Sequence, residues 1–257
     1  MISPMRSSVA YVVGMDDDNS AIDADATTTR LFTFMMVYYL LILTSLINES
    51  VAICQTIDPW KNIYSESAWT ARDKWQKSNE LIELLKIKKN SVVADIGSHE
   101  GYMTYKLSKI VGDSGRVYAV ENRIPMVGLM QLKTKEKGIS NIRPVFAPKD
   151  DLGLPSDSLD AVIILDTYHE VINYDVLLKN VKMALVKDGL LLICEPIADV
   201  RKLSSRTEQT KKHEIGIGYV LKDLDKAGFK VLFKKEDFVD REKVKGDKMW
   251  VIVAAKK

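Results

Sequence analysis

Cysteine and histidine are the scarcest reactive residues in this chain, and their scarcity narrows its chemistry first. Two cysteines, Cys54 and Cys194, leave no disulfide framework and no CxxC metal knuckle. Cys194 lies inside the apolar run Leu190–Cys194, which predicts a buried strand residue and not a partner for Cys54. The three histidines, His99, His169 and His213, form neither HExxH nor another metal-ligand spacing, so no metal is expected. Charge of one sign is missing too. Thirty-seven basic against 35 acidic residues give +2, and no basic stripe points to nucleic acid. The cluster Lys243–Lys248 and the pair Lys256 and Lys257 read as solvated surface. With 46% hydrophobic and 28% charged residues, the 257-residue chain can bury one medium domain and carry an appendage.

The appendage is N-terminal. Residues 1–29 are polar, carry Asp16, Asp17, Asp18, Asp23 and Asp25, and show no periodicity, which predicts disorder or an over-extended gene start. Residues 30–55 are different: from Leu31 to Ile47 there is no charge. Such a run sits at the lower bound of a membrane span and slightly above a secretory core. Ser50-Val51-Ala52 offers a small-x-small cleavage site, while the acids ahead of Arg30 oppose the positive start that a signal peptide needs. A membrane anchor or cleaved signal is the expectation, with a buried core helix as the alternative.

From Ala68 onward, residues 68–257 alternate strand and helix patterns without repeats. Ser78–Lys89 places Leu81, Ile82, Leu84 and Leu85 on one helical face behind Ser78 as a cap. Ser91–Ile96 is a short β-branched run, Gly115–Glu121 a second, and Asn141–Ala147 a third, placed near an edge because Pro144 has no N–H. Ala161–Leu165 and Leu190–Cys194 are wholly apolar, with a helix between them expected to close at Gly189. "FKVLFKKEDF" and "KMWVIVAA" make a terminal hairpin. The order implies an α/β, Rossmann-like, doubly wound and mostly parallel seven-stranded sheet, helices on both faces.

Ligands of such sheets bind beyond the carboxyl ends of the strands. There the first strand delivers "DIGSHEG", Asp95 to Gly101. A dinucleotide fingerprint needs G-x-G-x-x-G, but this loop is G-x-x-x-G with His99 and Glu100 inside it. Glu100 would also set a negative charge against a diphosphate. A phosphate-free, zwitterionic cofactor suits the acids better. Asp95 can take an amino group directly or through water, and Glu121 sits where a carboxylate accepts both ribose hydroxyls. His99 replaces a residue usually left as glycine, and an ordinary backbone conformation is expected for it.

Asp95-Ile96-Gly97 with Gly101, Glu121, "DDLGLPSDSLDAVIILD" and "LVKDGLLLICEP" resemble the successive motifs of class I S-adenosylmethionine-dependent methyltransferases. The resemblance runs from about Arg72 to the C-terminus. "ARDKWQKSNELIELLKI" and "LDTYHEV" further resemble bacterial methyltransferase-domain proteins often preceded by export or membrane segments. The resemblance implies that Asp95, Gly97, Ser98 and Gly101 form the S-adenosylmethionine loop and Glu121 the ribose carboxylate. Asp150, with Asp151 nearly equivalent, matches the acid for the adenine amino group. The N-terminal apolar segment predicts placement at a membrane or in the bacterial periplasm, with the cytoplasm as the alternative.

"DTYHE" brings Asp166, Tyr168, His169 and Glu170 together at the end of the fourth strand. Asp166 and His169 are the catalytic candidates, His169 as a base because an imidazole titrates near neutrality. The alternative for His169 is a cap or a packing role. Tyr102 is placed over the cofactor or in the core, Trp69 and Trp75 in an entrance lid or the core, and His213 at a helix cap or the surface. No Asn/Asp-Pro-Pro-Tyr/Phe motif is present, so methylation of DNA bases by that constellation is not expected. The expected acceptor is a small molecule. The rival readings are a non-catalytic cofactor-binding module and an NAD-dependent oxidoreductase, the latter opposed by the loop spacing and by the lack of a Tyr-x-x-x-Lys pair.

Overall fold

The computed structural model describes residues 29–42, 64–148 and 151–256. The chain divides into two compact units, Met1–Asp58 and Pro59–Lys257. In the first, residues 29–42 form a helix whose large apolar side chains, from Leu31 to Ile42, are exposed. Among the described residues no helix is long and apolar enough to cross a membrane.

The second unit is built on a seven-stranded sheet. Its strands are β1 (Val92–Ile96), β2 (Arg116–Glu121), β3 (Ile142–Phe146), β4 (Leu159–Leu165), β5 (Leu185–Ile197), β6 (Phe229–Arg241) and β7 (Asp247–Lys256). They lie in the order β3-β2-β1-β4-β5-β7-β6. β7 runs antiparallel to β5 and β6, and the other pairings are parallel. The expected parallel sheet, edge strand β3 and terminal hairpin are all present.

Side chains alternate across each strand, and here both faces are apolar. Ala94, Val120, Val162, Ile193 and Ile252 belong to one buried cluster, while Val93, Ala119, Ile163, Leu192 and Val251 belong to the other. Helices α5 (Tyr174–Ala184) and α7 (Ile217–Lys226) supply Leu178, Val181, Val220 and Leu224 to the first cluster. Helices α2 (Ser78–Leu84), α3 (Tyr102–Val111) and α4 (Ile124–Glu136) supply Leu81, Leu107 and Met130 to the second. Short helices α1 (Trp69–Asp73), α6 (Arg206–Thr210) and α8 (Glu242–Lys245) fill the connections.

Three boundaries differ from expectation, the first being that α2 ends at Leu84 and not at Lys89. Ser78 is not the cap of α2: Lys77 holds that position in a left-handed conformation, and Ser78 is a buried first-turn residue. α5 ends at Ala184 and not at Gly189, because Leu185 is already extended and pairs with Leu159 of β4. The register then shifts before Ala161 meets Leu190. Cys194 is buried in β5, as its apolar run requires. The sheet thus turns the carboxyl ends of β1, β2, β4 and β5 to one edge, where the functional residues gather.

Candidate active site

Each of those four neighbouring strands carries an acid at or near its carboxyl end. Asp95 in β1 is 3% exposed, Glu121 in β2 5%, and Glu195 in β5 0%. The side chain of Asp166, just after β4, is 4% exposed. A buried carboxylate is tolerated only with donors around it, and the four are satisfied in different ways.

Asp95 accepts from Thr104 Oγ1 of α3 at 2.6 Å. Burial pushes its carboxyl up to about 6, against the pull of the Thr104 bond and the Arg72 charge. Glu121 accepts from the backbone N–H of His99 at 3.0 Å, and from the N–H of Asn122 and Arg123 at 3.1 and 3.2 Å. The Arg123 guanidinium closes over it at 3.0 Å from a half-exposed position.

The loop between them turns on two glycines. Gly97 has φ +79°, and a Cβ there would lie 2.2 Å from Thr167 Oγ1 in the turn after β4. Gly101 has φ +99° and precedes α3, with Met130 and Tyr105 against it. Ser98 is buried, and its N–H donates to Val120 O at 3.1 Å. His99 does not relax to an ordinary backbone: its φ is +49°, so a side chain occupies a left-handed position that glycine would hold at lower cost. The His99 bond to Glu121 holds it there. Glu100 points toward α4, where Lys133 Nζ lies 3.0 Å from its carboxylate. Its negative charge is therefore neutralised at the rim of the loop.

Asp166 also has a positive φ, +54°. Arg241 Nη1 donates to it at 2.7 Å and the Tyr64 hydroxyl donates to the same oxygen. Burial raises its carboxyl, but the Arg241 and Lys245 charges outweigh this and hold it well below the usual range. Arg241 itself is buried and forks onto Asp247 at 2.6 and 3.0 Å. Glu195 accepts from the N–H groups of Thr167 and Tyr168 at 2.6 and 2.7 Å, and meets His169 Nδ1 at 2.6 Å. His169 Nε2 lies 3.2 Å from Glu170, whose carboxylate also meets His213 Nδ1. Burial lowers the His169 imidazole, but Glu195 and Glu170 outweigh it and push it up to about 10. Both of its nitrogens are thus engaged by carboxylates, which opposes the role of base.

The remaining sequence candidates are dispersed. Asp151 is exposed and caps its own turn through Gly153 N–H at 2.9 Å. Asp150 lies outside the described residues, as does Cys54. Tyr102 is a core residue: its hydroxyl donates to Asp73 at 2.6 Å and Arg72 stacks 4.0 Å from its ring. Trp69 packs on Tyr102 and Tyr105, and its indole N–H donates to Tyr64 O. Trp75 lies between the Arg72 and Arg241 guanidiniums. Sequence reasoning missed Glu195, Arg241 and Tyr64. Glu195 was visible as the lone charge in "LLLICEPI"; Arg241 sits in a charged stretch that gives no sign of burial.

A family model described as a methyltransferase domain matches residues 87–245, which spans β1 to β6 and stops short of β7. The chain belongs to the methyltransferase-domain family. It is 27% identical over 162 residues to the ubiquinone/menaquinone biosynthesis C-methyltransferase UbiE of Shewanella frigidimarina, covering 63% of this chain and 58% of that protein. The chain thus spans less than two-thirds of this curated relative. A S-adenosylmethionine-dependent methyltransferase from Aquifex aeolicus superposes with a TM-score of 0.61 at 20% identity, covering 73% of this chain and 93% of that one. The [4+2]-cyclase SpnF superposes at 0.60 with 14% identity, covering 70% and 80%. These likenesses establish the fold; the family establishes S-adenosylmethionine as the cofactor.

The donor set of this methyltransferase domain fits that cofactor. Its buried acids are of the kind that an ammonium and a ribose diol require, and the loop carries no Lys or Arg for a phosphate. Asp95 gives the site a pH signature. The unfolded chain releases the Asp95 proton near 3.8 and the folded chain near 6, so this group favours unfolding progressively as pH rises through that window. The full effect is on the order of 3 kcal/mol above pH 6. Asp95→Asn removes it. Urea unfolding at several pH values should show the variant gaining on the wild type between pH 4 and 6; a pH-independent difference would contradict the assignment.

Proposed function

We propose that the chain transfers the methyl group of S-adenosylmethionine to a small-molecule acceptor at the mouth between residues 97–101 and 166–170. The observation that carries this reading is the row of acids at the strand ends around a loop shaped by Gly97, Ser98 and Gly101. Asp95, already short of compensating charge, would receive the amino group. Glu121 would take the ribose hydroxyls once the half-exposed Arg123 side chain swings aside, and Asp151 or Asp150 the adenine amino group.

The bound cofactor supplies a methyl group already activated by its sulfonium, so the protein's task is alignment and exclusion of water. Asp166 and His169 serve that task as positioning residues. Asp166 ties the mouth to Tyr64 and to the β6–β7 hairpin through Arg241. His169 and Glu195 hold the turn after β4 against Gly97. A small acceptor agrees with the near-zero net charge and with the small-molecule pathway in the name of the UbiE relative. Residues 31–47 are proposed to attach the chain to a membrane, supported by the exposed apolar helix at 29–42 and the charge-free run beyond it.

Methyl-labelled S-adenosylmethionine, offered with a panel of small nitrogen, oxygen and carbon nucleophiles, should yield labelled product in the low-mass fraction. Glu121→Ala should lower that yield at least about tenfold, since it removes a charge-assisted hydrogen bond worth roughly 1.5–3 kcal/mol. Label found only in macromolecules would refute the small-molecule acceptor. In flotation with phospholipid vesicles the full chain should rise with the lipid and a chain lacking residues 1–55 should not; equal behaviour would refute the attachment.

A further inference from the structure

His169, Glu170 and His213 each offer one ligand atom, and these atoms all lie within 4.8 Å of one another. We propose that they form a binding site for a divalent transition-metal ion of the zinc type. The sequence conceals it, because His213 is far from the adjacent pair His169-Glu170 and arrives through the turn between α6 and α7.

The His169–Glu170 separation suits one ion. His169 Nε2 lies 3.2 Å from Glu170 Oε1, and His213 Nδ1 meets the same oxygen. Ligands about 2.0–2.2 Å from a tetrahedral ion are themselves roughly 3.3–3.5 Å apart, so a small outward shift of His213 opens the cage. The two imidazole rings stand edge to face, with centroids 5.7 Å apart. Two imidazoles and a carboxylate select zinc, cobalt, iron or nickel over magnesium and calcium.

The surrounding residues orient the set. Metal-bound histidines usually donate their second ring N–H to a carboxylate, which fixes the ring and directs the other nitrogen to the ion. His169 does this with the fully buried Glu195 at 2.6 Å, and two backbone N–H groups in turn hold Glu195. His213 is held from its other side. Its φ is +57°, a conformation that costs a β-carbon residue energy. The next residue, Glu214, accepts from Ala198 N–H at 3.1 Å and from Arg201 Nε at 2.7 Å, and Ile215 N–H donates to Pro196 O at 3.0 Å.

A second grouping, Asp166 with His169 and Glu195, is less suitable. Arg241 and Tyr64 already occupy Asp166, and the backbone holds Glu195. In the proposed site the side chains of Glu170 and His213 are 55% and 44% exposed, so an ion can enter and keep a position open to water or another ligand. The site uses none of the residues 97–101, although His169 and Glu170 also belong to the mouth described above; zinc binding is read without S-adenosylmethionine, so its failure is distinguishable from failure of the methyl-transfer reading.

The test is titration of the untagged full chain, stripped with a chelator, with zinc by calorimetry and with cobalt by visible absorption. One equivalent should bind, with cobalt bands of a nitrogen and oxygen ligand field. His213→Ala and Glu170→Gln should each weaken zinc at least about 100-fold, because even outer-shell partners carry roughly 10–100-fold. Circular dichroism checks that both variants fold. His99→Ala, which removes the imidazole in the cofactor loop, should change zinc affinity by less than about threefold by the same reasoning. No binding by the folded wild type, an unchanged affinity in folded His213→Ala, or an equal loss in His99→Ala would overturn the proposal.

Discussion

Four carboxylates buried side by side, at the carboxyl ends of four neighbouring strands, are the constraint on which the rest of this structure depends. Glu121, Asp95, Asp166 and Glu195 occupy consecutive positions across β2, β1, β4 and β5. Each would be prohibitively costly without donors, and the donors determine how the surrounding chain is arranged. Asp166 draws in Arg241 from the distant hairpin and Tyr64 from the N-terminal side. Glu195 organises the turn that carries Thr167, Tyr168 and His169. Glu121 holds the loop through His99. Asp95 accepts a side-chain bond from Thr104, and burial raises its carboxyl above the ordinary value. An ammonium beside it would supply what the protein does not.

The same constraint explains how a histidine and a glutamate replace the usual openness of a cofactor loop. His99 accepts the left-handed backbone because its N–H gains a charged acceptor, a bond worth roughly 1.5–3 kcal/mol against about 1–2 kcal/mol of backbone cost. Glu100 is turned to Lys133 at the rim, where Glu66 joins the same lysine at 2.9 Å. Segment 64–73 therefore lies against the loop from outside. Trp69 on Tyr102 and Tyr105, and Arg72 between the rings of Tyr64 and Tyr102, give it an apolar seat. Residues that resemble decoration of a glycine loop are in this way part of its wall.

Much of the fold was legible because strand and helix periods were unambiguous. The apolar run Ala161–Leu165, and Leu190–Cys194 beyond its half-buried first residue, are buried on both faces, and Pro144 lies in the edge strand. The end of α5 was not legible, since Leu185 and Val186 continue a helical pattern while pairing with β4 captures the first of them. Of the site, Asp95, Gly97, Ser98, Gly101 and Glu121 converge as local spacing suggested. Asp151 turns back on its own backbone. The role of His169 was illegible because an imidazole's ordinary titration says nothing about two carboxylates brought by other segments. His213 and Arg241 were hidden for the same reason: their partners are set by tertiary contacts, not by neighbours in sequence.

The central claim is that the loop at 97–101, with His99 and Glu100 in it, admits S-adenosylmethionine. Calorimetric titration of the full chain with the demethylated product, S-adenosylhomocysteine, and with NAD tests it most directly. One-to-one micromolar binding of S-adenosylhomocysteine, lost in a folded Glu121→Ala variant and absent for NAD, is the result the account predicts. A folded wild type that gives no heat with S-adenosylhomocysteine would contradict it, and would mean that His99 and Arg123 hold Glu121 too firmly for a ribose to replace them.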